Sequence, residues 1–185
     1  MLHRKSIWRA WLPAVLWLLV IAAESTPVFS SAHTAVWLRP FVALFGTGAL
    51  YSLYFINAVL RKTGHFIGYA VLSWFAYRGW RETLAVQQEV GYEHRNRRPT
   101  PRCLRETLRM GWNQRAALLA LLSTTLVAAL DEWHQSLLPN RTGAVHDVVL
   151  DSLGGLFAQS LVMFAAMTFA RPDAPRPVHE EVTRS

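Results

Sequence analysis

Ten side chains able to do acid–base, metal or phosphate chemistry stand at the edges of long uncharged stretches: Glu24, Lys62, His65, Asp131, Glu132, His134, Arg141, His146, Asp147 and Asp151. An ionisable group beside hydrocarbon is costly to keep, so a functional site is the default hypothesis for such residues. Helical spacing groups them. Lys62, His65 and Tyr69 follow i, i+3, i+7 and share a face. Asp131 shares one with His134 and Gln135, and Asp147 lies four residues before Asp151, which lies four before Gly155. Two neighbouring carboxylates do not both stay ionised without a counter-charge, so one takes a proton or a cation neutralises them. His and Asp at i, i+3 or i+4 supply two metal ligands from one helix, which makes Asp131, His134, Asp147 and Asp151 the candidate ligands of a divalent metal. Lys62 and Arg141 could instead grip a phosphate, Arg by a bidentate fork and Lys as a point charge.

As catalysts the candidates are His65, His134, Asp131 and Glu132, since imidazole titrates near neutral pH and carboxylates act as partners. As ligand-binding groups they are Lys62, His65, Tyr69, Gln135, Arg141, Asp147, Asp151 and Glu24. A purely structural network is the competing explanation, in which Asp147 and Asp151 only pair with Lys62 and Arg141. The helix macrodipole alone would account for Asp147 in a first turn. Glu24, with Ser25-Thr26-Pro27, is also explained as a helix end. His33, His94 and His179 read as solvated, and Gln159 as a hydrogen bond between helices.

The elements that must position these groups are apolar helices. Between Ala10 and Leu38 only Glu24 is charged, Gln114 to Leu130 carries only Arg115, and Ser152 to Ala170 carries no charge. A bilayer core of about 30 Å takes roughly 20 such residues in a helix. The pattern predicts an all-α membrane bundle with four spans, at about 8–29, 61–80, 113–135 and 145–170, in one transmembrane domain over 1–170. Pro13 falls in the first turns of the first span, where it is tolerated. Residues 40–60 are uncharged and long enough to cross, yet a crossing there would turn the basic segment outward. They are therefore expected to form an amphipathic or re-entrant segment on the outer face. Gly154 and Gly155 would admit a close neighbour helix.

Charge sets the orientation. The net charge is +7, and nine arginines but only four acids lie between Arg78 and Arg115. Residues 31–61 hold only Arg39 and Arg61, and 134–146 only Arg141. Such asymmetry follows the positive-inside rule and argues against a nucleic-acid-binding face. Both termini and a basic loop over about 81–112 are then cytoplasmic, with 171–185 a disordered tail. Within the loop, the stretch from Asn96 to Arg102 reads as flexible. The ten candidates all fall on the opposite side. Arg4 and Lys5 before an apolar run resemble a secretory signal, but Glu24 and Pro27 precede the only cleavage-like site, so the first helix is expected to be uncleaved. Trp8, Trp11, Trp37, Trp80, Trp112 and Trp133 sit near the predicted ends, where indoles anchor at the headgroups. Cys103 is the only cysteine and forms no disulfide within the chain.

The segment from Arg61-Lys62-Thr63-Gly64-His65 through Tyr69 to Leu72 resembles the lysine, histidine, tyrosine and leucine pattern of the VanZ-like membrane proteins. Asp131-Glu132-Trp133-His134-Gln135, followed by Pro139-Asn140-Arg141, resembles that family's second motif. Asp147-Val148 with Asp151 and Gly154 resembles the start of its last helix, where relatives often carry asparagine at the position of Asp151. Ser25 and Pro27 also fit. The resemblance covers about residues 8–170 and leaves out the arginine-rich loop and the tail. It implies a multi-pass protein of a bacterial cytoplasmic membrane and a link to glycopeptide resistance, since the founding member is associated with low-level teicoplanin resistance.

Three functions are open from the sequence. The first is an outward-facing polar site that binds an envelope lipid or a lipid-linked glycan precursor. The second is an intramembrane hydrolase or transferase assisted by a divalent metal. The third is a structural or accessory subunit. The expected partners are membrane lipids rather than nucleic acid.

Overall fold

The computed structural model describes residues 2–26, 31–44, 53–109, 111–138 and 144–169, all of its regular structure being helical. Helix α1 spans Leu2–Glu24, α2 Ser31–Ala43, α3 Leu53–Asn96, α4 Arg102–Arg109, α5 Gln114–Ser136 and α6 Val145–Phe169. Arg141 and the tail 171–185 lie outside the described residues, as do residues 45–52 of the expected outer segment.

Among the described residues, three helices are long and apolar enough to cross a membrane: Lys5–Glu24, Gln114–Ser136 and Val145–Thr168. Four were expected, and by length and apolar content three meet the measure. The fourth candidate, 61–80, is part of α3, where His65, tyrosines, glycines and Ser73 dilute the apolar content. The reason is positional. Helix α3 packs against α1, α2, α4, α5 and α6 and is the centre of the bundle. A helix enclosed by helices need not be apolar all round.

Several boundaries also move. Helix α1 begins at Leu2 and stops at Glu24 rather than Phe29, so Pro13 lies in its interior instead of its first turns. The hydroxyl of Thr26 donates to the carbonyl of Ala23 at 2.7 Å, closing the last turn. Helix α2 has 13 residues. At ~1.5 Å per residue it is about 20 Å long, short of a bilayer core. Helix α3 starts before Arg61 and runs far past Trp80, through 44 residues, because no proline interrupts it before Pro99. Half of the expected basic loop therefore belongs to α3, and α4 adds eight more helical residues. Helix α3 ends with Arg97 in the left-handed region, φ 53°. The following turn is not loose: the backbone N–H and hydroxyl of Thr100 both reach Glu93 Oε1 at 3.2 Å, and Thr100 is buried.

Packing follows a rule inverted from that of water-soluble bundles. On α5, Ala116, Ala120, Thr124 and Ala128 recur every four residues and are fully buried. On its opposite face Leu118, Leu122, Leu126 and Leu130 recur at the same interval and are more than half exposed. Small residues inside and large apolar ones outside is the arrangement expected when helices meet each other in lipid. Asn113 caps α5, its side chain accepting from Ala116 N at 3.0 Å. Among the predicted anchors, Trp8, Trp37 and Trp133 are exposed. Trp11 and Trp80 instead pack edge to face at 5.3 Å, and Trp112 stacks on Tyr77.

The tightest contact joins α6 to α3. A Cβ built on Gly154 would stand 2.3 Å from the carbonyl oxygen of Phe66. Beside it, the Gln159 amide crosses to the Ser73 carbonyl at 2.9 Å and hydroxyl at 2.7 Å. Gly154→Ala should therefore force the two helices apart and lower stability by about 1–3 kcal/mol, as overpacking does. Gly64→Ala should not lower stability and should raise it by up to about 1 kcal/mol through helix propensity, since its Cβ would meet nothing within 4 Å. Unfolding in mixed detergent–SDS micelles reads both.

Candidate functional site

The small-residue stripes carry polar groups at one end. On α5 the run Ala116, Ala120, Thr124, Ala128 continues at the same spacing to Glu132, which is buried. On α6, Asp151 lies one turn before Gly154 and Gly155 and is wholly buried. On α3, Tyr69 is buried and His65, one turn earlier, is half-buried. These three helices meet where α1 ends, so their polar positions converge.

Two clusters result. The first centres on Asp131. Its Oδ1 accepts from the hydroxyl of Ser25, and its Oδ2 accepts from Tyr69 Oη at 3.1 Å and Gln135 Nε2 at 3.0 Å. Three donors, from the turn after α1, from α3 and from α5, satisfy this carboxylate, and hydrogen bonds to a charged acceptor are the stronger kind. The second cluster is His65, Glu132 and Asp151, whose ligand-capable atoms all lie within 4.8 Å of one another. His65 Nδ1 stands 3.5 Å from Asp151 Oδ2, long for a hydrogen bond. Glu132 Oε2 accepts from the backbone N–H of Ala144 at 2.9 Å, which ties α5 to the start of α6.

At the rim, Lys62 Nζ meets Asp147 Oδ1 at 3.1 Å, and His146 Nε2 approaches the same oxygen at 3.3 Å. Lys62 and His146 are largely exposed, so these pairs contribute at most about 1 kcal/mol. His134 is exposed and turns away from the face that Asp131 and Gln135 share. Of the four metal ligands expected from spacing, only Asp151 belongs to the compact triad. Asp131 is held by Ser25, Tyr69 and Gln135, Asp147 stands on the rim, and His134 faces outward. Glu24 is exposed and borders a cleft of about 390 Å³ between α2 and the start of α3. Arg61, Thr34, Asn57 and His65 line it too.

Sequence reasoning missed four of these residues as site members. Ser25 touches Asp131 from the turn after α1, distant in sequence, and no spacing within one element announces that. Thr34 and Asn57 are joined by a hydrogen bond of 2.9 Å between α2 and α3. Arg61 was counted as a topology charge and as the first residue of the family-like segment, not as a site residue. Glu132 was considered for catalysis but not as a metal ligand; the four-residue run of small residues that leads to it was a usable signal.

An all-helical bundle with lipid-type packing, three apolar helices and one polar end defines a membrane protein. The VanZ/LLP1 family model matches residues 10–166. The chain belongs to that family, as its motifs suggested. No curated protein and no solved structure matches it.

The donors of Asp131 and the outward-facing His134 should respond differently to substitution. Tyr69→Phe or Gln135→Leu removes one donor from Asp131 and should lower stability by about 1–3 kcal/mol. His134→Ala should change it by no more than about 0.5 kcal/mol. SDS-titrated unfolding followed by tryptophan fluorescence distinguishes the two; a large loss for His134→Ala would contradict the placement.

Proposed function

We propose that this protein crosses a bacterial cytoplasmic membrane four times, α3 being the additional crossing, with both termini in the cytoplasm. In this reading the polar end opens on the other face and binds the headgroup of an anionic envelope lipid or lipid-linked glycan. The basic run between Arg78 and Arg115 supports the orientation through the positive-inside rule. The length of α3 supports the fourth crossing: at ~1.5 Å per residue its 44 residues reach about 66 Å, beyond both faces of a bilayer core.

One observation carries the binding proposal, the mixed lining of the 390 Å³ cleft. Trp37, Leu38, Phe41 and Leu60 form an apolar wall, while Arg61, Thr34, Asn57 and His65 supply polar groups beside it. A concave, largely apolar site with a few convergent polar groups is the usual form of a ligand pocket. Here it suits a molecule with a hydrocarbon chain and a charged head. A glycopeptide-resistance phenotype would then be a downstream effect of occupancy by a lipid-linked precursor. Hydrolase or transferase chemistry on such a lipid would need a bound cation in addition.

Orientation can be read from Cys103, which is exposed and lies in α4 within the basic segment. A membrane-impermeant maleimide should label it in inside-out vesicles and not in intact cells. A cysteine placed at the exposed Ser136 in a Cys103→Ser background should show the reverse. Labelling of Cys103 in intact cells would invert the topology.

Binding can be read by native mass spectrometry of protein purified in mild detergent. Wild type should retain anionic phospholipid. Arg61→Ala, which removes a charge-assisted contact, should reduce retention about tenfold, or ~1.4 kcal/mol. Leu60→Trp, which crowds the apolar wall, should reduce it as well. Equal retention by wild type and both variants would end the proposal.

A further inference from the structure

The acids of the polar end are treated unequally. Asp131 is given three donors, and Asp147 is given Lys62. Glu132 receives one backbone N–H. Asp151 is the most buried of them, with no exposed side-chain surface, yet neither of its oxygens accepts a hydrogen bond among the described residues. A carboxylate taken out of water without donors is unfavourable by several kcal/mol. The fold nevertheless holds it in place: Gly154 and Gly155, one turn on, press α6 against α3 and α5. One long contact, His65 Nδ1 at 3.5 Å from Oδ2, is what Asp151 has in place of a donor set. Asp151 faces the imidazole of His65 and the carboxylate of Glu132, a second negative group.

We infer that His65, Glu132 and Asp151 form a binding site for one divalent first-row transition-metal ion, Zn²⁺ or Mn²⁺. The donor set is one imidazole nitrogen and two carboxylate oxygens, delivered by α3, α5 and α6 into a region 4.8 Å across. Zinc sites take both ligand types at about 2.0–2.2 Å. Tetrahedral geometry at such bond lengths spaces ligand atoms roughly 3.3 Å apart. The pair His65 Nδ1 and Asp151 Oδ2, at 3.5 Å, already stands close to that spacing. The mixed nitrogen and oxygen set disfavours Ca²⁺ and Mg²⁺, which take oxygen ligands, and the lack of thiolate disfavours Cu⁺. A dication also resolves the charge problem, since it neutralises two buried carboxylates at once.

The surroundings fit the role. The backbone N–H of Ala144 fixes one oxygen of Glu132 and so orients the carboxylate, as outer partners of metal ligands do. The His65 ring stacks beside Tyr69 with centroids 6.3 Å apart. Three protein ligands leave further coordination positions, the pattern of sites whose metal meets an exchangeable ligand. His65 also lines the 390 Å³ cleft, so the metal would stand at its polar side.

The proposal does not depend on lipid binding, and its test is made without lipid. Tag-free protein, treated with chelator and exchanged into lipid-free detergent, is titrated with Zn²⁺ by calorimetry and with Mn²⁺ by electron paramagnetic resonance. One ion per chain should bind with a Kd of about 1 μM or tighter. Asp151→Asn and Glu132→Gln should each weaken binding at least tenfold, and His65→Gln likewise. The double variant His146→Ala, Asp147→Asn and the single variant His134→Ala remove groups of the rim and surface outside the triad and should bind as wild type does. If Asp151→Asn does not fold, Glu132→Gln and His65→Gln carry the test. Absence of stoichiometric binding by the wild type overturns the site. So does unchanged affinity in Glu132→Gln and His65→Gln, or loss of binding in the surface variants.

Discussion

Backbone lies against backbone where α6 crosses α3, with Gly154 over the carbonyl of Phe66, and the polar end of the molecule depends on that contact. A side chain between the two helices would hold them apart. With none there, Asp151, one turn before Gly154, is carried to His65, the residue next to Phe66. The same logic operates on α5. Its buried stripe of alanines and Thr124 brings the helix close to its neighbours, and Glu132 sits at the next position of that stripe. Small residues therefore do more than fill space. They set the distance at which charged groups from three helices meet.

That proximity creates an electrostatic demand which the protein meets in different ways at different acids. Around Asp131 the answer is internal, through Ser25 just past α1, Tyr69 of α3 and Gln135 of α5. A half-buried network with several donors on one acid holds one arrangement of helices firmly. Around Asp147 the answer is a lysine in contact with water. Around Asp151 the described side chains supply an imidazole and another carboxylate. This difference separates a framework cluster from a cluster suited to a cation, although the two are a few residues apart on the same helices.

The same packing explains why hydropathy alone finds three spans in a bundle built around a fourth long helix. Helix α3 touches every other described helix, and its face toward them carries Tyr69, Ser73, Tyr77 and Gly79, all buried. Its apolar content is therefore not set by lipid, and glycine, serine, tyrosine and histidine are accepted on it. In α5, which has one face inward and one outward, the two demands separate cleanly into small and large residues. Membership of the VanZ/LLP1 family extends over this whole bundle, from residue 10 to 166.

Local chemistry was legible from the chain itself. Uncharged runs announced apolar helices, because a membrane core accepts little else over such lengths. The motifs around His65, Asp131 and Asp151 pointed to the polar end, since each group sits where a run stops. Helix ends were read less well: apolar content marks where lipid would stop, whereas α3 runs on until Arg97 and Pro99 break it. Spacing placed Asp131, His134 and Gln135 on one face, but a helix face is broad, and only packing turned Gln135 inward and His134 outward. Which acid received donors, and which met a histidine and a second acid, was decided in three dimensions. Residues from three helices and from the turn after α1 contribute to those contacts, and the distances between helices depend on side chains far from the acids in sequence.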